Sequence, residues 1–555
     1  MKAILSSFFL FLLTLSLAAQ DNFTHLNEVH PVVKGQLLGY DTRENADLQI
    51  KFNVVQPSPN FQKTFLVQPD DVGYFELQLP HSLRYQQVWF SIGDHYFSEL
   101  ILDQGLYIDI QWDDLTSKAN SKHKSKAVTF KGKDGELNEY LRQYNAAYKK
   151  HRSDFGNDFD IITNRSSIVE EKREQLMSHH AKRKAFVEQY IEKNPSPYSW
   201  LLMNDRLSED YGKFFLIYSN EKMSTDLEQK ILAHRPKLIS NSSMIDYYTY
   251  ANYYFKGIKN EEQIGFLRDE LLPVIKSKEE QAKLHTLIDS LQLKHSGTTV
   301  NSEAFTQLSR YFREQYEEIY NQYMMQKFLK VANNLPAERG DLMKLVGGGI
   351  DVTKRRKFTE QVIPTLQTTW AKSIMQTEWQ ADEKELLAIE DRLSKITVEK
   401  IDSPFGTEVE QLPDGATLFK AQHQSIDSLL AALRYAYPDK TLLLDLWATW
   451  CGPCIMDMRE SAENIDKLQD MDVEVIYLCT TRGVKEKDWK NKVAELNLNA
   501  PQIYLNDALS KEIMTYFDLS GYPSKVLRGK DGKYLTKVKG MISDLDVEEF
   551  KEMME

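Results

Sequence analysis

Cysteine is scarce in this chain: three residues among 555. A disulfide-stapled secreted scaffold is thereby excluded, because such frameworks need several pairs spread along a short chain. Beyond the first twenty residues, no apolar run approaches the ~20 residues needed to span a bilayer, so stable membrane insertion is not expected. Nothing low-complexity interrupts the sequence. It also lacks an excess of positive charge, carrying 69 Lys and Arg against 81 Asp and Glu for a formal net charge of -12. Nucleic acid is therefore not expected as a partner, since phosphate binding needs a cationic face. Two local basic runs, Lys118 to Lys133 and Lys354-Arg355-Arg356-Lys357, are expected to be solvated loop or helix faces.

At this length the chain exceeds one hydrophobic core, and about three domains are expected. Residues 1–20 read as a secretory signal: Lys2 supplies the positive start, Ile4 to Leu17 an apolar stretch, and Ser16, Ala18 and Ala19 the small residues near a cut before Asp21. The mature protein is therefore expected outside the cytoplasm. Residues 21–132 alternate with a period of two in short segments such as Leu48 to Val54, Tyr74 to Leu79 and Tyr107 to Trp112, which predicts a β-sandwich. From 133 to 400 the period becomes helical, with breaks at Asn194-Pro195-Ser196-Pro197, Pro236, Pro273 and Gly347-Gly348-Gly349, which predicts an all-α domain. Residues 401–555 alternate again between strands and helices. Strands are expected at Thr441 to Ala448, Val473 to Cys479, Gln502 to Leu505, Lys525 to Leu527 and Tyr534 to Val538. Helices are expected at Pro453 to Gln469, Glu486 to Leu496, Leu509 to Phe517 and from Asp544. This predicts an α/β sheet covered by helices on both faces.

Two of the three cysteines form Cys451-Gly452-Pro453-Cys454, where the apolar strand ends and a helix begins. Backbone N–H groups at a helix start stabilise an anion, and the thiolate is the reactive form of cysteine. Lowering a thiol pKa from ~8.5 to ~7 raises the thiolate fraction at neutral pH from about 3% to about 50%. Cys451 is the expected nucleophile. Cys454, one turn further in, is the expected resolving thiol that attacks the mixed disulfide. Pro453 in the first turn costs no hydrogen bond. A zinc site is not expected, for want of a second Cys or His pair at ligand spacing, and no metal or other cofactor is implied. Cys479, in an apolar strand, is expected to be core. His179 and His180 are adjacent and make a poor metal pair. The stripes Tyr247, Tyr250, Tyr254 and Tyr316, Tyr320, Tyr323 are expected to pack internally.

The segment Leu444-Asp445-Leu446-Trp447-Ala448-Thr449-Trp450-Cys451-Gly452-Pro453-Cys454 resembles the active-site segment of the thioredoxin superfamily. With the export signal and the preceding β and helical domains, the chain most resembles the TlpA-like periplasmic thiol-disulfide oxidoreductases of Bacteroidetes-type bacteria. Gly73-Tyr74-Phe75 and the Phe130 to Gly132 approach to a helix add to that likeness. The resemblance implies a thioredoxin-like fold for 401–555. It makes Asp445 the buried acid that assists proton removal from the resolving thiol, a task suited to a carboxyl with a raised pKa. Pro523 in Gly521-Tyr522-Pro523-Ser524 matches the cis-proline that faces the cysteines and pairs with substrate backbone. Trp450, Gly452, Pro453, Tyr522 and Pro523 then form the expected substrate-binding set, with Tyr522 departing from the smaller residue common in that family. The 68 residues between Cys454 and Pro523 match an inserted strand and helix, as in the exported branch.

The expected activity is disulfide exchange with disulfide-containing proteins, in the reducing direction, with a thiol protein as electron donor or acceptor. Three readings compete with it. A disulfide oxidase or isomerase would use the same dithiol, because potentials in such proteins run from about -270 to about -120 mV. A partner-binding protein could carry the redox centre as a sensor. A peroxiredoxin would need an isolated peroxidatic cysteine, which the matching loop lacks.

Overall fold

The computed structural model describes residues 23–551 apart from 44–47, 94, 118–125, 165, 297–299, 350, 400–403, 406–408, 414, 539, 544 and 546–549. The signal-like residues 1–20, the first half of the first basic run and the start of the last expected helix at Asp544 lie outside the described residues. The chain has N-terminal β-sheets, a central helical region and a C-terminal α/β part, gathered into two compact units. One unit holds residues up to 347 together with 362–375, and the other holds 348–361 and 376–555.

In the first unit, alternation of apolar residues builds two four-stranded sheets. The strands are β1 (Val32–Leu38), β2 (Ile50–Val55), β3 (Gln62–Val67), β4 (Tyr74–Gln78), β5 (Gln86–Ile92), β6 (Tyr96–Leu102), β7 (Leu106–Gln111) and β8 (Val128–Lys131), ordered β4-β1-β7-β8 and β3-β2-β5-β6. Their inward residues, among them Val33, Phe52, Phe75, Phe90 and Ile108, meet in one core. Gly73 opens β4 at φ +79°, and a Cβ there would lie 2.5 Å from the Leu37 carbonyl, so the turn requires glycine. The helices Gly135–His151, Val169–Lys193 and Ser199–Ile217 follow, and Asp134 ties the first to the sheet by accepting the Gly105 N–H at 2.8 Å and the Asp103 N–H at 2.9 Å. His179 and His180 each engage a different carboxylate, Asp158 at 2.7 Å and Asp210 at 2.8 Å. Tyr247 and Tyr254 are buried, and Tyr316, Tyr320 and Tyr323 pack on the Phe266 cluster.

The second unit is built on an eight-stranded mixed sheet, ordered β16-β15-β12-β13-β14-β11-β10-β9. Its strands are β9 (Thr397–Glu399), β10 (Val409–Gln411), β11 (Thr417–Lys420), β12 (Thr441–Trp447), β13 (Val473–Cys479), β14 (Gln502–Tyr504), β15 (Ser524–Arg528) and β16 (Tyr534–Val538). Because β9 precedes residue 401 and pairs with β10, this unit starts earlier in the chain than the composition change near 400 suggests. It also takes in most of helix α1 (Val352–Val362) and of α2 (Thr369–Ser394).

Every residue of β12 is buried, as its unbroken apolar run requires for a central strand covered on both faces. Leu442, Leu444 and Leu446 pack with α3 (Ile426–Ala436) and α7 (Asp507–Tyr516). Leu443 and Trp447 point the other way, into a core shared with α4 (Gly452–Glu460), α5 (Ala462–Asp470) and α6 (Glu486–Leu496). By the same alternation Asp445 belongs to this second face, the one covered by α4.

Two expectations are corrected. The single helix expected over Pro453 to Gln469 is two, divided at Ser461, whose Oγ donates back to the Met458 carbonyl of the first helix at 3.1 Å. The basic run at 354–357 is a solvated face only in part: Lys354 and Lys357 are exposed, but Arg355 is buried against Asp382, its Nε and Nη2 lying 2.9 and 2.6 Å from Oδ1, and Arg356 lies 3.9 Å over the Trp379 ring. A guanidinium can be withdrawn from water in this way only because a carboxylate on α2 meets its fork. Among the described residues, no helix is long and apolar enough to cross a membrane.

Candidate functional site

Strand β12 ends at Trp447, and the chain turns through Ala448-Thr449-Trp450 into α4. The turn closes with a hydrogen bond from the Cys451 N–H to the Ala448 carbonyl at 2.9 Å. Cys451 is the N-cap of α4, with extended backbone, and its Sγ accepts the Cys454 N–H at 3.2 Å. A sulfur that accepts a helix-terminal N–H sits where negative charge is stabilised, so this geometry favours the thiolate of Cys451 once the dithiol is reduced. Pro453 occupies the first turn without disturbing any intrahelical bond. Cys451 and Cys454 are joined as a disulfide with their Cα atoms 5.3 Å apart, and they are 4% and 1% exposed.

Around the disulfide the chain places an aromatic shelf. Trp450 is 52% exposed, yet it is held in place because its Nε1–H donates to the Arg482 carbonyl at 2.7 Å. Tyr522 meets it edge to face, with ring centroids 5.7 Å apart. The peptide bond between Tyr522 and Pro523 is cis. The expected substrate-facing residues Trp450 and Tyr522 are thus in contact, and Gly452 and Pro453 lie in the turn between the two cysteines.

Beneath α4, on the sheet face that the helix covers, lie three neighbouring positions on three strands. Asp445 on β12 is opposite Lys525 on β15 and Tyr477 on β13. Asp445 is 2% exposed, and burial pushes its carboxyl up to about 7, with Asp457 adding to the rise and Lys525 opposing it. The Lys525 ammonium lies 3.7 Å from Asp445 Oδ2 and 2.9 Å from Asp457 Oδ2. Asp457, on α4 three residues beyond Cys454, also accepts the Ser543 N–H at 2.8 Å through Oδ1. Burial raises the Tyr477 phenol well above its ordinary range.

Lys525 and Asp457 are the site residues that the sequence reading lacks. Their signals are a lysine two residues after Pro523, directly before the apolar pair Val526-Leu527, and a carboxylate at helical spacing from Cys454. Cys479 lies on β13, fully buried, and burial raises its thiol well above the ordinary value.

No protein-family model matches the chain. Among curated proteins it is 30% identical over 118 residues to thiol-disulfide oxidoreductase ResA of Bacillus thuringiensis subsp. konkukian, which is 20% of this chain and 63% of that protein. It is 34% identical over 101 residues to a ResA of Bacillus cereus, covering 18% and 56%. The chain thus spans less than two thirds of the length of these relatives. Among solved structures it resembles the thioredoxin domain of a thiol-disulfide oxidoreductase from Bacteroides vulgatus at 19% identity, covering 22% of this chain and 84% of that one with a TM-score of 0.20. A thiol:disulfide interchange protein from a Bacteroides species is 21% identical, with coverage of 20% and 70% and a TM-score of 0.18.

Proposed function

We propose that the C-terminal α/β unit is a thioredoxin-like thiol-disulfide oxidoreductase and that the chain, as an exported TlpA-like protein of the periplasm, reduces disulfides in other proteins. The observation that carries this reading is the Cys451–Cys454 disulfide at the N-terminus of α4, with Cys451 Sγ accepting a helix N–H and a buried carboxyl on the strand beneath. The curated relatives that the chain matches in part are named thiol-disulfide oxidoreductases, which supports the same chemistry.

In the forward reaction the reduced protein presents Cys451 as a thiolate. It attacks one sulfur of a substrate disulfide, forming a Cys451–substrate bond and releasing the other substrate sulfur as a thiolate that takes a proton from water. The Cys454 thiol then gives its proton to Asp445 and attacks Cys451 Sγ. A Cys451–Cys454 bond forms, the mixed disulfide breaks, and the second substrate sulfur leaves. Two electrons have passed to the substrate, and the protein holds the disulfide found here. A thiol protein of lower potential restores the dithiol by the same exchange in reverse. Trp450, Gly452, Pro453, Tyr522 and cis-Pro523 are the surface against which the substrate backbone lies.

The test is the reduction potential of the Cys451/Cys454 pair in the full chain, read from tryptophan fluorescence in thiol redox buffers. A value near or below about -250 mV is expected for a reductant, and one above about -180 mV would replace this reading with disulfide formation or isomerisation. Cys454→Ser should accumulate mixed disulfides with substrates through Cys451, which a protein that merely binds its partner would not do.

A further inference from the structure

Three charge-bearing side chains meet in the buried layer between α4 and the sheet: one cation, Lys525, and two carboxylates, Asp445 and Asp457. With both carboxylates ionised the cluster carries a net charge of -1, which a low-dielectric interior resists. One proton restores neutrality, and the geometry decides where it goes. The ammonium is closer to Asp457, and Asp457 has a second partner in the Ser543 N–H, so its charge is the better compensated. Asp445 is left with the longer contact and with an Oδ1 that no protein donor reaches. It is therefore the carboxyl that takes the proton.

We propose that Asp457 and Lys525 are positioning residues for Asp445. Their ion pair, joining the helix that starts at the disulfide to the strand that follows cis-Pro523, sets the charge Asp445 meets and hence the pH at which Asp445 can accept the Cys454 proton. The inference deepens the reading of the site as a thiol-disulfide exchange centre and rests on it. The groups facing Asp445 from the surrounding elements are Lys525 on β15, Asp457 on α4 and Tyr477 on β13, with Ser461 close to the phenol. Burial keeps the phenol neutral, so Lys525 and Asp457 are the charges that act.

The two partners should act with opposite sign. In Asp457→Asn the amide keeps the shape and the acceptor for Ser543, while Lys525 is left to Asp445 alone, so the Asp445 carboxyl falls. In Lys525→Met the cation is gone and the carboxyl rises. The pH profile for reduction of a model protein disulfide by the reduced full chain should shift on its acid side accordingly. A midpoint lower by about one unit is expected for Asp457→Asn and higher by about one unit for Lys525→Met, each near tenfold in rate on that limb. Adding Asp457→Asn to Asp445→Asn should move nothing further. Shifts of the same sign, or none, in variants with unchanged unfolding midpoints would overturn the proposal. If Lys525→Met does not fold, Asp457→Asn decides alone.

Infrared titration of the oxidised wild type reads the same proton without turnover. A buried carboxylic acid band that titrates near neutrality, vanishes in Asp445→Asn and moves to lower pH in Asp457→Asn is expected. Burial also raises Glu99 to about 7 and Asp246 to about 8, so their bands persist in every variant and the reading is the difference between wild type and Asp445→Asn; the absence of any such difference would sink the assignment. Absence of disulfide turnover in the wild type would instead defeat the reading of the site, and the infrared result would still decide where the proton sits.

Discussion

Asp445 and Lys525 face each other across the antiparallel pair β12 and β15, 3.7 Å apart, while the same ammonium lies 2.9 Å from Asp457. A lysine shared in this way leaves one of two buried acids undercompensated, and that imbalance has consequences for stability as well as chemistry.

The folded protein holds the Asp445 proton up to about pH 7, whereas an unfolded aspartate releases it near 3.8. Between those values Asp445 binds more proton in the native state than in the unfolded state, so its contribution to stability falls as pH rises through the window and levels off above it. Asp445→Asn removes that dependence. The variant should match the wild type below about pH 4 and exceed it above pH 7 by a margin on the order of 4 kcal/mol. Urea unfolding at several pH values checks this, and an unchanged difference across the window would contradict it. Gained stability with impaired exchange would mark Asp445 as a functional cost to the fold.

Arg355 and Asp382 form another buried charge pair of this unit, with Arg355 Nη2 2.6 Å from Asp382 Oδ1. Removing one partner leaves the other charge buried without compensation, which costs about 3–5 kcal/mol. Arg355→Met should therefore lower the unfolding free energy by that order, and Arg355→Met with Asp382→Leu should recover much of it. A double-mutant cycle in urea reads the coupling, and additive losses would show that Arg355 contributes only its packing.

The sequence carried the elements whose periodicity is strong and whose partners are implied by type. The apolar run Thr441 to Trp447 could only be a central strand, and Cys-Gly-Pro-Cys after it located the helix start that activates a thiol. The alternating segments of the first sheets were legible for the same reason. Weaker were β9, β10 and β11, which are three or four residues long and too short to carry a period, and which hold their place through pairing with β14. Helix α3 is absent from the reading although its signals are present: Ser425 caps it, and Ile426, Leu429, Leu430 and Leu433 form its buried stripe. Arg355 read as solvated and Lys525 went unread because a charge in a sequence says nothing of the carboxylate that will meet it. Asp382 is 27 residues from Arg355, and Asp457 is 68 residues from Lys525.

The three cysteines should differ in reactivity by position alone. After reduction, Cys451 is the N-cap sulfur of α4 beside an exposed Trp450, where a thiolate is stabilised and a small reagent can approach. Cys454 is one turn deeper and nearly inaccessible. Cys479 is fully buried on β13 with its thiol raised by burial, so it offers neither thiolate nor access. Alkylation of the reduced protein at neutral pH should label Cys451 first. Cys479 should react more slowly by about a hundredfold or more, through opening of the fold, and all three should label alike in denaturant. Peptide mapping of a time course makes the measurement. Early modification of Cys479 would mean that β13 opens readily, and prior modification of Cys454 would reverse the assignment of nucleophile and resolving thiol, because accessibility and the helix terminus would then favour different sulfurs.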